Sequence, residues 1–167
     1  IFRRKYFLLS ALNLFFLSFF YKKEIVLEKF LVLWPDGYFA KSFTKKKIPG
    51  STLISKLNIP KFVKKIVVIG DLNKNEKLFL LKKFKILVIH HPMPNSCVKT
   101  LLNKIPKNLY SDALYLITLP TPKQEQIAYK MFKNNKKLKI ICIGGGLAIA
   151  AGTIKKSPKI LYNFNLE

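Results

Sequence analysis

Only two cysteines, Cys97 and Cys142, occur in the 167 residues, far apart and with no CxxC spacing. That excludes a disulfide framework and a thiolate zinc site, and points to a reducing cytosol. Acidic residues are scarce as well: 8 Asp and Glu stand against 31 Lys and Arg, a formal net charge of +23. No arginine follows Arg3-Arg4, so the charge is carried by lysine, spread along the chain beside Ile, Asn, Phe and Leu. Such a surface is drawn to polyanions, either nucleic acid or the anionic face of a membrane, although a genome rich in A and T yields the same unclustered excess. No RNP-like motif, zinc finger or compact basic helix with interleaved aromatics is present, so nucleic acid is not the expected partner. A long apolar run is missing too. Tyr6 to Tyr21, "YFLLSALNLFFLSFFY", is interrupted by Ser10, Asn13 and Ser18 and falls short of the ~20 residues a membrane helix needs; no A-x-A-like cleavage site follows it. It reads as a strand, a turn and a helix. The sequence opens on Ile1 rather than Met, which leaves an upstream piece open.

Hydrophobic residues make up 50% of the chain, enough to bury one α/β core, and a single domain over residues 1–167 is expected. "YFLLSAL" predicts a strand ending at Asn13, "LFFLSFFYKKEIVLEKF" a helix, and "LVLW" a second strand that stops at Pro35-Asp36-Gly37. "YFAKSFTKKK" is ambiguous; "STLISKLNI" predicts a short helix capped by Ser51. The β-branched run "KKIVVIG" is the cleanest strand, ending at Gly70-Asp71, and the lysine-rich "NEKLFLLKKF" is its helix. "KILVIHH" repeats the pattern, Pro94-Asn95-Ser96 opens a helix through "CVKTLLNKI", and "ALYLIT" and "KIICIGGG" add two strands. Strands that are apolar throughout, alternating with helices, predict a Rossmann-like, mostly parallel sheet covered by helices on both faces. The C-terminal strand ends, where such sheets bind ligands, carry Asn13, Asp36, Gly70, His90-His91, the segment Pro122-Lys123-Gln124-Glu125 and Gly144-Gly145-Gly146.

Each of these residues has an ordinary alternative. The glycine triplet before "LAIAAG" suits a phosphate at a helix start, yet it is neither G-x-G-x-x-G nor a P-loop and also suits a packing turn. Asp36 fits a general base, or a common turn aspartate. Gln124 and Glu125 open a helix, where an acid also serves as a plain capping or dipole-compensating residue. Lys123 fits a solvated charge. Adjacent histidines on a strand point to opposite faces, so His90-His91 does not predict a metal site.

Taken together, "SALN" ending at Asn13, "WPDG" at 34–37, "KKIPGSTLI" at 46–54, "IVVIG" ending at Gly70, "PKQE" at 122–125 and "GGGLAIAAGTIKKSPKILYNFNLE" at 144–167 resemble the WecG/TagA/CpsF family of bacterial glycosyltransferases, family 26. The resemblance spans nearly the whole chain and is most specific at "PKQE" and at the C-terminal pattern. It implies a metal-independent, inverting hexosyltransferase needing no cofactor, peripheral on the cytoplasmic face of the bacterial plasma membrane. Such an enzyme moves an N-acetylmannosamine-like sugar from a UDP-sugar to an undecaprenyl-diphosphate-linked acceptor in cell-surface polysaccharide or cell-wall synthesis. By that resemblance Asp36 is the general base on the acceptor hydroxyl and Gln124 holds the donor near its reacting carbon. Asn13, Lys47, Gly70, Lys123, Glu125, Gly144, Gly145 and Gly146 make up the implied substrate-binding set. The implied partners are the UDP-sugar, the polyprenyl-diphosphate-linked acceptor and an anionic membrane surface; a homo-oligomer is left open.

The chain also departs from the family pattern. Leu147-Ala148 replaces a usual Phe-Asp, Lys47 a usual arginine and Pro120 a glycine, Thr52 stands at the polar or acidic position, and no basic appendage follows Glu167. Lysine lacks arginine's planar fork for a diphosphate. The alternative expectation is therefore a degenerate or truncated, non-catalytic homologue that binds a nucleotide-sugar or a partner.

Overall fold

A computed structural model of the chain describes residues 5–21, 29–36, 44, 47–93 and 97–155. The ambiguous segment at 38–47 falls mostly outside these residues. So do Gly37, the turn at 94–96, the later part of the helix expected after Asn13, and the second half of the C-terminal stretch 144–167. Among the described residues six strands alternate with six helices: β1 (Phe7–Leu12), α1 (Leu14–Tyr21), β2 (Leu31–Pro35), α2 (Gly50–Lys56), β3 (Lys65–Ile69), α3 (Lys74–Phe84), β4 (Leu87–His91), α4 (Val98–Asn103), β5 (Ala113–Ile117), α5 (Lys123–Asn134), β6 (Lys139–Cys142) and α6 (Gly146–Ala150). The strands form one sheet in the order β2-β1-β6-β5-β3-β4, and every pairing is parallel. This is a Rossmann-like α/β fold.

Both faces are covered, which is why the central strands can be apolar at every position. Alternate residues of β1 make the point: Phe7, Leu9 and Ala11 join a core with Ile54 of α2, Leu80 of α3 and Leu147 of α6, whereas Leu8 joins one with Leu101 of α4 and Ile127 and Met131 of α5. Phe16 of α1 packs on Leu12, Leu31, Leu33 and Tyr129, so α1 lies on the α5 face. The chain thus leaves β1 toward one face and leaves its neighbour β6 toward the other. Divergence of this kind at adjacent parallel strands opens a crevice at their C-terminal ends.

Local chemistry explains the helix starts. Asn73 caps α3: its Oδ1 accepts the Glu76 N–H at 2.9 Å while Glu76 Oε2 accepts the Asn73 N–H at 2.9 Å. Asn73→Ala is expected to cost about 1 kcal/mol, read as a small shift of the denaturant midpoint at unchanged slope; no shift would remove the capping box from the stability account. The expected cap at Ser51 is not found. The cap position falls two residues earlier, at Pro49, with no side-chain cap bond, and Ser51 is buried in the first turn of α2. The reason is close packing of α2 on α6: a Cβ on Gly146 would stand 2.8 Å from the Gly50 carbonyl carbon. Among the described residues no helix is long and apolar enough to cross a membrane.

Candidate functional site

The crevice between β1 and β6 is a cleft of about 350 Å³. Asn13 enters it from the end of β1, Trp34 from β2 and Asp36 from just after it, Gly50 and Ser51 from the start of α2, Thr121 from the β5–α5 connection, Gln124 from the first turn of α5, and Gly144, Gly145 and Gly146 from the turn between β6 and α6. A larger hollow, about 550 Å³, lies between the α4–β5 connection and the end of α5, and none of the candidate residues lines it. Of the expected residues, the fold therefore brings Asn13, Asp36, Gln124 and the three glycines to one cavity. Glu125 is 1% exposed and stands outside the lining. Lys47, Lys123 and Gly70 do not line the cleft either. Gly70 has a packing reason to be glycine: its φ is +117°, and a Cβ would meet Thr118 Oγ1 at 2.6 Å. His90 Nε2 lies 2.8 Å from the Gly70 carbonyl, a bond the ring makes as donor. Among the described residues no group of three or more His, Cys, Asp or Glu is placed to hold a metal ion.

Buried polar side chains concentrate here. Six are found among the described residues; of these Ser51 and Gln124 line the cleft, Glu125 bonds to Gln124, and Ser10 bonds to Glu125 behind it. Burying such groups costs free energy unless they are bonded to one another, and most of these are. Gln124 Oε1 accepts the Gly144 N–H at 2.9 Å, and Gln124 Nε2 donates to Thr121 Oγ1 and Glu125 Oε1, both at 2.9 Å. Glu125 Oε1 also accepts from Ser10 Oγ at 3.2 Å and from Thr121 Oγ1 at 3.4 Å. Both amide donors of Gln124 are thus engaged, and a ligand can reach only its remaining carbonyl lone pair unless a bond is exchanged.

No family model matches the chain, and no curated protein is significantly similar to it in sequence.

The glycine turn divides by function. Gly144 takes a left-handed φ of +51°, and Gly146 lies against the α2 backbone, so the fold itself accounts for both. Gly145 is different: it is exposed, its φ of −69° suits any residue, and a Cβ there would meet nothing within 4 Å. It faces space.

Ser10 and Cys142 carry no sequence signal that places them at a site, and Trp34 stands out only as part of the motif "WPDG". Trp34 is 5% exposed, and its Nε1 is buried without a hydrogen-bond partner, an open donor in a side chain that lines the cleft. Cys142 is buried, its Sγ 3.7 Å from the Gln124 carbonyl; burial first, and then the Glu125 charge, push its thiol well above the ordinary value. That keeps it protonated and unreactive.

Burial likewise pushes the Glu125 carboxyl above its ordinary 4.5, against the pull of its own N–H and of Gln124, Ser10 and Thr121. Folding then favours the protonated acid. The favourable contribution is fully present below 4.5 and is lost as pH rises through the raised folded value. Glu125→Gln removes this dependence, so the wild type should gain stability relative to the variant as pH is lowered from neutral. Urea unfolding of both proteins across pH checks it; parallel curves would mean that Glu125 ionises in the folded chain as readily as in the unfolded one.

Proposed function

We propose that the chain belongs with the family 26 glycosyltransferases and transfers a sugar from a UDP-sugar to a polyprenyl-diphosphate-linked acceptor. The observation that carries this reading is the convergence of Asn13, Asp36, Gln124 and Gly144–Gly146, widely separated in sequence, on one cleft at the C-terminal sheet edge. These are the residues for which the resemblance implies pocket, base and donor-positioning roles. The unfilled space at Gly145 supports it further, since a glycine that the fold does not require is explained by close approach of a ligand to the backbone.

In this reading Asp36 takes the proton of the acceptor hydroxyl as that oxygen attacks the anomeric carbon from the face opposite the departing UDP. Backbone N–H groups at the cleft offset the charge that grows on the diphosphate. Gln124, tied to Gly144, Thr121 and Glu125, acts mainly by shaping the glycine turn and contacts the donor through its one remaining lone pair. The lysine-rich surface would hold the protein to the anionic inner face of the plasma membrane, each lysine near the surface contributing ~1 kcal/mol.

The test is transfer with purified protein, a panel of UDP-sugars, a detergent-solubilised polyprenyl-diphosphate-GlcNAc analogue and EDTA. Turnover is the expected result. Neither turnover nor UDP binding would sink the reading. Binding without turnover would instead select a non-catalytic nucleotide-sugar binder, favoured by Ala148 where the family pattern has a carboxylate. Gly145→Ala gives a sharper check: stability within about 1 kcal/mol of wild type, but UDP affinity lowered at least about tenfold by calorimetry, since a Cβ enters the space where a ligand would lie. Unchanged affinity would mean that the ligand does not approach Gly145.

A further inference from the structure

Gln124 sits between a donor and an acceptor. On one side the Gly144 N–H, which it shares with the Ile117 carbonyl of β5 at 3.1 Å, points at its Oε1; on the other, Glu125 Oε1 and Thr121 Oγ1 receive its Nε2. Turning the amide over would set NH₂ against N–H and carbonyl against carboxylate, losing bonds on both sides. Thr121 alone cannot enforce the choice, because a hydroxyl serves as either donor or acceptor. Glu125 Oε1 is an acceptor whether or not the other oxygen carries a proton, and that other oxygen, Oε2, is buried with no partner. The carboxyl is itself held in place from a distant strand. Ser10 lies on the same face of β1 as Leu8, toward α5, and donates to Glu125 across 115 positions of sequence. On β6, Cys142 lies on that face too and is the titratable group whose behaviour Glu125 alters.

We propose that Glu125 is a positioning residue for the cleft: anchored by Ser10, its Oε1 locks the Gln124 amide so that Gln124 holds the Gly144 N–H and fixes the glycine turn for its ligand. Glu125 has no contact with the ligand; it acts through Gln124. An acidic residue at the start of a helix here serves neither the helix dipole nor the substrate. It serves the conformation of a loop on another strand.

The ligand part of this inference rests on the nucleotide-sugar reading; the part concerning Gly144 does not, and the experiment separates them. Gly144 amide exchange and UDP affinity are measured in the full chain for wild type, Glu125→Gln and Glu125→Leu. Glutamine keeps an acceptor oxygen and is expected to match wild type. Leucine should speed Gly144 exchange, and weaken UDP binding, by about three- to tenfold, the worth of one hydrogen bond, while amides of β3 keep their protection. Equal impairment of both variants, or faster exchange at β3 and Gly144 alike, overturns the proposal. If wild type does not bind UDP, the functional reading fails and Gly144 exchange still decides the positioning role. If Glu125→Leu does not fold, Ser10→Ala removes one anchor of the same carboxyl and must still speed exchange at Gly144 selectively; unaltered exchange there is equally fatal.

Discussion

Asp36→Asn is expected to lower the rate of sugar transfer by about 10²–10⁴-fold, the usual contribution of a positioned general base. The substitution is isosteric, so the cleft keeps its shape and UDP affinity should hold within about twofold of wild type, well under the tenfold that 1.4 kcal/mol represents. What disappears is an oxygen able to accept the hydroxyl proton. Asp36 directly follows β2, where the Pro35 carbonyl accepts the Ile48 N–H at 2.8 Å and ties this strand end to the segment that leads into α2. The backbone under Asp36 is therefore anchored independently of its side chain, and the unfolding midpoint should barely move. Single-turnover transfer at saturating donor is the measurement. A rate within threefold of wild type would remove Asp36 from the chemistry and leave it a polar residue of the wall.

The second large effect concerns the fold. Gly70→Ala places a Cβ at φ +117°, with Thr118 Oγ1 at 2.6 Å, the Leu119 amide nitrogen at 3.2 Å and Leu119 Cγ at 3.3 Å. The conformation alone costs about 1–3 kcal/mol for a residue with a side chain, and overpacking typically adds about 1–3 kcal/mol. The Thr118 hydroxyl cannot simply swing aside, because it donates to the Asp71 carbonyl at 2.8 Å. Backbone at the end of β3 or at the start of the β5–α5 connection has to move, and that connection carries Thr121 and leads into Gln124 of α5. A fall in Tm of on the order of 5–15 °C is expected for a chain of this size, with weakened ligand binding as a secondary effect. A Tm within 2 °C of wild type would show that the β3 end relaxes without cost, contrary to the contacts described.

The fold was legible where local pattern decides it. Runs such as "KIVVI" and "ALYLI" are apolar on both sides and β-branched or aromatic in part, so they announced strands buried on both faces, and the helices between them announced parallel connections. The site was legible only to the level of the strand ends. Which ends meet depends on strand order, and nothing local to β1 says that its neighbour is β6. Ser10 illustrates this: a serine inside a fully buried strand must find a partner, but that the partner is Glu125 follows only from the placement of β1 next to β6 and of α5 over both. Glu125 itself was misleading because an acid in a first helical turn usually faces solvent and the dipole. Here the helix is rotated so that Gln124 and Glu125 both turn inward. The start of α2 escaped local reading for a related reason, since Ser51 has the chemistry of a cap but the contact of Gly50 with Gly146 sets where the helix begins.

The cleft straddles the seam between β1 and β6, the first and last strands of the described sheet. Every other pair of neighbouring strands in the sheet is nearer in sequence, so closing this seam carries the longest loop and is expected late in folding. A molecule lying across Asn13 on one side and Gly144–Gly146 on the other would act as a clasp between the two ends of the described chain. It could not bind a chain in which the seam stands open, and would therefore stabilise the closed form as a whole, by about 2.7 kcal/mol at a hundredfold excess over its Kd. Recognition and completion of the fold would then be one event at one place, and local opening at this seam would set how readily the bound molecule leaves.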